Sequence, residues 1–540
     1  MALVVSYGNS NQNFSHFLNL HYAEMLRLYD LFYDSHWLTF GTYRIFDPLN
    51  GRGFWTDPSN HWIINLNGGD DVINLTFWDL YDGESRFVPS FEINGGEGND
   101  MLGGSYFDDT LNGGAGADVM IESYGNDVYI IDDNFDDVII MGVNGGGIDR
   151  VESSVDYVLP DFVEVLELTG ANDISGIGNQ NRNTIIGNIG DNVLDGLQGA
   201  DLMIGGNGND VYVVDIAGDI VRELFGQGTD IVETFISYTL TAFVEQGFLS
   251  SVGRNQFLIG NGLSNLLVGN SGNNTLSGLG GPDELSGGLG RDTLFGGDGA
   301  DTLDGNAGVD MMVGGLGNDL YYVDNGLDVV LEENATSLGG IDTVFTSIAM
   351  TIPVNVERLV FNGESDGEIL SGNLLSNYLL GNYTDDIVEA GGGNDSLFGG
   401  SGNDTLGGGS GNDTLNGGFG SDWLEGGQGR DILSGGVGAD IFAFIAVTDS
   451  SGTTSDRILD FETGIDRIDV RLLDASSLPG DQAFNFIANL GFSAAGQIRT
   501  SYSASSNVTL VLVNLDADFE HEMTIILNGQ RNLSASDFIL

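Results

Sequence analysis

The sequence predicts an all-β fold, a parallel β-solenoid in which short strands wind into flattened coils. Three observations predict it. A nine-residue unit recurs along most of the chain. Glycine occupies fixed places within that unit, and one large apolar residue occupies another. Such self-similarity outranks any residue-by-residue reading, because a repeating unit that cannot bury its own apolar face must stack on its neighbours.

The clearest run lies at 390–443, where six units follow one another without interruption: AGGGNDSLF, GGSGNDTLG, GGSGNDTLN, GGFGSDWLE, GGQGRDILS and GGVGADIFA. Two looser units precede them, GNLLSNYLL and GNYTDDIVE. Similar tracts start at Gly95, Gly178 and Gly260. The shared pattern is glycine at positions one, two and four, aspartate at six and a large apolar residue at eight. Glycine permits the positive φ and close backbone approach of a tight turn. The apolar residue and its neighbours form a short strand with one side chain inward. Turn, strand, turn, strand then makes one coil from two units, and Leu397, Leu406, Leu415, Leu424 and Leu433 are expected to stack as a thin core.

Composition narrows the function. The chain has 540 residues, 16 Lys+Arg against 79 Asp+Glu, and a formal charge of −63. Every cation is arginine. Such a balance excludes a nucleic-acid partner, which needs a positive footprint, and disfavours an anionic membrane surface. No run approaches the length of a membrane-spanning helix, so membrane insertion is not expected. With 41% hydrophobic and 10% aromatic residues, the chain is too apolar for a solvated polyanion. It folds, so its carboxylates need neutralising.

Position six shows where. Coils stacked at ~4.8 Å bring successive aspartates together, and two carboxylates that close stay ionised only with a cation between them. Carboxylate and carbonyl oxygens in a flexible turn suit Ca2+, whereas Mg2+ demands tighter octahedral geometry. The chain has no cysteine, and none of its five histidines lies in these tracts, so zinc and copper are not the expected ions.

These units resemble the glycine-rich nonapeptides of the RTX, or haemolysin-type, calcium-binding repeat family. The resemblance implies a parallel β-roll with several Ca2+ ions in its turns, each shared between stacked units. Carried over position by position, the ligands in the first tract are Asp100, Asp109, Asp118 and Asp127. Asp201 and Asp210 follow, then Asp283, Asp292, Asp301, Asp310 and Asp319. The last tract gives Asp386, Asp395, Asp404, Asp413, Asp422, Asp431 and Asp440. The turn glycines Gly399, Gly402, Gly408, Gly411, Gly417, Gly420, Gly426 and Gly429 complete the metal set. Asn192, Asn274 and Asn377 replace the aspartate, and Pro282 enters one turn, so those sites are expected to be weak or empty.

A longer module overlies the short one. GNDVYIID at Gly125, GNDVYVVD at Gly208 and GNDLYYVD at Gly317 each precede a spacer of alternating apolar residues, starting at Asp149, Asp230 and Asp342. The alternation predicts strands. The organisation expected is 1–66 as an aromatic N-terminal cap or docking segment, then tract and spacer at 67–177, 178–259 and 260–371, a fourth tract at 372–443, and a C-terminal region at 444–540. The stretch from Ser15 to Asp34 carries Phe17, Leu20, Leu28, Leu31 and Phe32 at helical spacing. That segment caps the roll or docks a neighbour, including another copy of the chain; the residues alone leave both open.

The C-terminal region resembles that of the serralysin-type secreted metalloproteases, on GADIFAF at Gly438, DSSGTTSDRILDFETGIDRIDV at Asp449, GDQAFNFI at Gly480 and ASDFIL at the end. The resemblance implies closure of the roll and an uncleaved signal read by type I secretion machinery. The opening MALVVSYGNSNQN lacks the features of a cleaved signal peptide. VNLDADFEHEM lacks the repeat's glycines, so no site is expected at Asp516 or Asp518.

Catalytic motifs are missing. His16 and His21 have the wrong spacing for a zinc-binding helix and no glutamate between them. No GxSxG elbow occurs, and every GxG belongs to the nonapeptide. With no lysine, the acylation of a pore-forming toxin is excluded. Catalytic residues are therefore none, and the expected function is a secreted, extracellular or cell-surface calcium-binding protein that acts as a non-catalytic structural or adhesive component. The alternative is an enzyme-related protein, a degenerate protease or a polysaccharide-modifying protein, whose roll acts as a folding chaperone.

Overall fold

A computed structural model describes residues 18–19, 61–65, 69–70, 72–74, 90–105, 107–122, 124–140, 146–332, 339–473, 483–516 and 520–540. The chain divides into two compact units, Met1–Ser251 and Val252–Leu540. Each is built from parallel strands, and successive strands alternate between sheets.

In the first unit, one sheet carries Val72–Asn74, Met101–Gly103, Val119–Glu122 and Asp137–Ile140. A second runs from His61–Asn65 through Ser90–Glu97 and Thr110–Ala115 to Ile220–Arg222. The expected helix falls outside the described residues except at Leu18–Asn19. Those two residues are extended and pair in parallel with Val72–Asn74.

The second unit shows why the repeat specifies the fold. Two nonapeptides make one coil, so each strand pairs with the strand eighteen residues away. Leu379 pairs with Leu397, Leu397 with Leu415, and Leu415 with Leu433. The alternate units form a second column, Val388, Leu406, Leu424 and Phe442. All of these side chains are fully buried. Full burial of a leucine contributes about 1.5–3 kcal/mol, but a coil offers only one such residue per unit. The core is long and thin.

Both columns close at the C-terminal end. Ile458 continues the first column and pairs with Leu527, and Ile468 continues the second and pairs with Phe538. There the topology changes. Gln497–Ser503, Val508–Asn514 and Met523–Asn528 form an antiparallel meander, and Met523–Asn528 lies along Arg457–Ile458. A strand edge that would otherwise template further pairing is covered.

Candidate metal sites in the turns

In the last tract each strand runs from position seven to position three of the next unit, as in Ser396–Ser401, Thr405–Ser410, Thr414–Phe419 and Trp423–Gln428, and the chain reverses at the glycine that follows. Gly402, Gly411, Gly420 and Gly429, at position four, have φ of 127°, 145°, 137° and 147°. A Cβ on Gly411 would also collide with the Gly393 carbonyl one coil earlier. Only glycine meets both demands.

The turn delivers aspartate inward. All eighteen predicted aspartates are buried, at 0–3% exposure. Each is held by a ladder that steps from coil to coil. The Asp404 N–H donates to Asp422 Oδ1 at 2.9 Å, Asp413 N–H to Asp431 Oδ1 at 2.8 Å, and Asp422 N–H to Asp440 Oδ1 at 3.0 Å. The same rung joins Asp100 to Asp118, Asp109 to Asp127, Asp283 to Asp301, Asp292 to Asp310, Asp301 to Asp319, Asp386 to Asp404 and Asp395 to Asp413. Asp201 and Asp210 cap Asn183 and Asn192.

The ladder uses one carboxylate oxygen and leaves the other. Oδ2 is buried without a hydrogen-bond partner in Asp118, Asp127, Asp201, Asp210, Asp283, Asp292, Asp301, Asp310, Asp319, Asp395, Asp404, Asp413, Asp422, Asp431 and Asp440. In the last tract, Oδ2 of Asp404, Asp413, Asp422 and Asp431 faces the position-one glycine of its own unit, Gly399, Gly408, Gly417 and Gly426. A methyl group built on Gly408 would lie 2.5 Å from the Gly426 carbonyl oxygen and 2.7 Å from Asp413 Oδ2. The absent side chain leaves an opening bracketed by a carboxylate and a carbonyl of the next coil. Those separations are on the scale of calcium–oxygen distances, and the all-oxygen donor set fits that ion.

Burial raises the pKa of these groups. It lifts Asp283, Asp404 and Asp431 from 3.8 to about 7, and Asp292, Asp301, Asp310, Asp319, Asp413 and Asp440 to about 6, despite the opposing backbone N–H bonds. Removal from water disfavours the charged form, and neighbouring aspartates add to the effect.

Asp109 and Asp386 differ. Asp109 Oδ2 accepts from the Ser105 N–H at 2.6 Å and hydroxyl at 2.8 Å, and its Oδ1 from the Phe91 N–H at 2.6 Å. Asp386 Oδ2 accepts from the Asn382 N–H at 3.0 Å. In both units the second glycine is replaced, by Ser105 and Asn382, and the turn itself supplies the donor.

The asparagine turns follow a third chemistry. Asn192 Oδ1 accepts from the Asn188 N–H, and its Nδ2 donates to the Ile174 carbonyl at 3.0 Å. Asn274 and Asn377 make the same paired bonds, from Asn270 and Asn373 and to Arg254 and Val356. A second asparagine at position two completes the turn: Asn188 Nδ2 donates to the carbonyls of Thr169 and Asn172. The side-chain amide supplies the donors that a carboxylate lacks. Pro282 does not disturb its turn, since Asp283 keeps its rung and its free Oδ2.

Sequence reasoning missed the rungs at the ends of the tracts, three in the nine-residue register and five outside it. Asp136, Asp149, Asp219, Asp230, Asp328, Asp342, Asp456 and Asp466 cap Asp118, Asp127, Asp201, Asp210, Asp310, Asp319, Asp431 and Asp440. Six of them open the phrases Asp-Arg-Val, Asp-Ile-Val, Asp-Thr-Val and Asp-Arg-Ile, the same acid-then-apolar signal as positions six to eight. Position five carries a second ladder. Asn394 and Asn412 there accept from the N–H groups of Asn412 and Arg430, an outer ladder beside the inner one. Asp516 is exposed, and Asp518 lies outside the described residues.

Comparison with known proteins agrees with this geometry. The family described as Peptidase M10 serralysin C terminal matches residues 268–540. The RTX calcium-binding nonapeptide repeat matches residues 93–129 and 177–212. Serralysin A and Serralysin C of Dickeya chrysanthemi are each 34% identical over 99 residues, 18% of this chain and 20% and 19% of theirs. The chain thus matches about one fifth of the length of these curated relatives. Among solved structures, the AlgE6R2 subunit of the Azotobacter vinelandii mannuronan C5-epimerase aligns at 29% identity and TM-score 0.21, over 33% of this chain and 92% of that one. The AlgE6R3 subunit aligns at 32% identity and TM-score 0.18, over 33% and 80%. With half its length matched to one family and its turns to the other's repeat, the chain belongs to the serralysin C-terminal family and carries RTX calcium-binding nonapeptides.

Proposed function

We propose that this protein is secreted, folds on external Ca2+ and serves as a non-catalytic structural or adhesive component of a cell surface or matrix. One observation carries the first half: a file of buried carboxylate oxygens without a donor, which at Gly399, Gly408 and Gly417 face a glycine opening and a carbonyl of the next coil. Without a cation these groups repel, and ordering the backbone costs ~1–2 kcal/mol per residue. The thin core offsets little of that. With Ca2+ held by Asp404, Asp413, Asp422 and their counterparts, and by the turn carbonyls, binding free energy becomes folding free energy. Extracellular calcium modules bind at roughly 10^-4–10^-3 M, which keeps such sites empty inside a cell and fills them outside. Export by a type I secretion machine, in the unfolded state, belongs to this reading.

The structural role is supported by how much of the described chain is coil. Strands and turns of the solenoid account for most of it, and the histidines form no zinc-binding motif. Electron microscopy of the purified chain in millimolar calcium tests the role. Ordered assemblies or surface-bound layers are expected; particles that stay monomeric at high concentration, together with hydrolysis of casein or a polyuronide, would overturn it.

A further inference from the structure

Two places in the solenoid depart from the turn just described, and they occupy equivalent positions in successive modules. After the strand that follows Asp210 comes a short turn, and the chain returns at Ile220–Arg222 in register with Leu202–Ile204. This register sets Glu223 directly above Gly205, where the regular repeat has another glycine. Met311–Leu316 and Val329–Leu331 set Glu332 above Gly314 in the same way. Sequence reasoning gave neither glutamate a role.

Each glutamate turns inward. Glu223 is 5% exposed and Glu332 is 8% exposed. The Tyr212 hydroxyl accepts from the Gly205 N–H at 2.7 Å and gives its own proton to Glu223 Oε1. Tyr321 donates to Glu332 Oε1 in the same way. The other oxygen, Oε2, is buried without a partner in both, and so is Oδ2 of Asp210 and of Asp319. Asp230 and Asp342, which cap the Asp210 and Asp319 N–H groups, complete two groups of three buried carboxylates. Within each group the ligand atoms lie within 4.8 Å of one another. Oxygens held 2.3–2.6 Å from one calcium ion must lie within about 5 Å of each other.

We infer that Asp210, Glu223 and Asp230, and likewise Asp319, Glu332 and Asp342, form a second class of divalent-cation site, of calcium size. It is made of three carboxylates and braced by a tyrosine. It differs from the turn sites in its donors. A glutamate side chain takes the place of the opening above the position-one glycine, and the phenol fixes that side chain by binding the oxygen the ion does not use. The charges acting on these carboxylates are other carboxylates: Glu223, Asp210 and Glu245 on Asp230, and Asp319 and Glu357 on Asp342. Three negative groups removed from water need a cation more than any single turn aspartate does. In the first module Ile140 stands at the register of the glutamate, opposite Glu122.

The site rests on the calcium-dependent reading of the roll, and the test separates the two. Bound calcium per chain is measured by atomic emission after gel filtration in calcium buffer. It is measured for the full chain and for Glu223→Gln, Glu332→Gln and the double variant. Glutamine keeps the acceptor for tyrosine and removes the charge. Loss of one ion per substitution, two in the double variant, is expected. An unchanged count in chains that do bind calcium overturns the inference and makes each glutamate a protonated hydrogen-bonding group; a chain that binds no calcium at all overturns the broader reading instead. Should a glutamine variant fail to fold, terbium replaces calcium. Emission sensitised through the adjoining phenol drops in Tyr212→Phe with Tyr321→Phe, and undiminished emission counts against the site.

Discussion

Asp422 reaches across one coil to accept the Asp404 N–H at 2.9 Å, and its second oxygen stays buried with no donor. One residue thus joins two coils with a hydrogen bond and, with the same carboxylate, creates a charge that only a cation can offset. Rigidity and ion dependence come from the same side chain.

Chelation therefore unfolds the repeat. In EDTA the far-ultraviolet circular dichroism of the chain is expected to lose most of its strand signal and to regain it in millimolar CaCl2. A strand-rich spectrum that persists in EDTA contradicts this.

Asp404 separates the hydrogen bond from the ion. Asp404→Ala removes the acceptor for the Asp386 N–H, and a buried unsatisfied donor costs about 1–3 kcal/mol beyond the lost ion. Asp404→Asn keeps the acceptor and brings the amide that Asn192 and Asn274 use. In calcium both variants lose stability, the asparagine variant less than the alanine variant, because it keeps the acceptor for the Asp386 N–H. Urea unfolding in calcium, monitored by fluorescence, gives the order; equal behaviour of the two variants would contradict the ladder.

Acid acts as a partial substitute for calcium. The folded-state values of Asp283 and Asp404 are raised to about 7 and that of Asp292 to about 6, against 3.8 unfolded, with burial the main cause. The folded chain holds these protons more tightly, so their contribution is fully present below pH 3.8 and is lost as pH rises through about 6 to 7. Calcium-free protein is expected to be more compact at pH 4.5 than at pH 7.5. Small-angle scattering that gives the same radius at both values refutes the expectation.

Gly411→Ala tests the turn itself. At φ 145° the new Cβ is strained and meets the Gly393 carbonyl. Strain of this kind costs of order 1–3 kcal/mol, and the calcium midpoint for folding should move upward by several-fold. Gly262→Ala, which meets nothing within 4 Å and lies outside the left-handed region, is the control for composition alone.

Leu397, Leu415 and Leu433 made the fold legible because one apolar residue per unit leaves only one way to stack. The aspartates were legible for the same reason, since a strict period puts identical side chains at identical heights. Legibility failed where the period failed. Asp230 and Asp342 cap their neighbours from 20 and 23 residues away, because a spacer lengthens the coil without changing its register in space. Glu223 and Glu332 lay in those same lengthened coils. The asparagine turns were recognised as departures but not as complete turns, since the Nδ2 bonds to Ile174 and Arg254 depend on where the previous coil places its carbonyls. The aromatic segment up to residue 60 is described only at Leu18–Asn19, so its role as cap or docking surface stands where the sequence left it.

Every aspartate rung runs one way. The N–H of one coil finds its acceptor in the coil that comes later in the chain, and the last of these rungs end on Asp456 and Asp466, beside the antiparallel meander. The asparagines at position five run the other way, with Asn412 and Arg430 donating to Asn394 and Asn412 of the coil before. Each turn is tied to both of its neighbours, so none is complete until the coils on either side of it are in place.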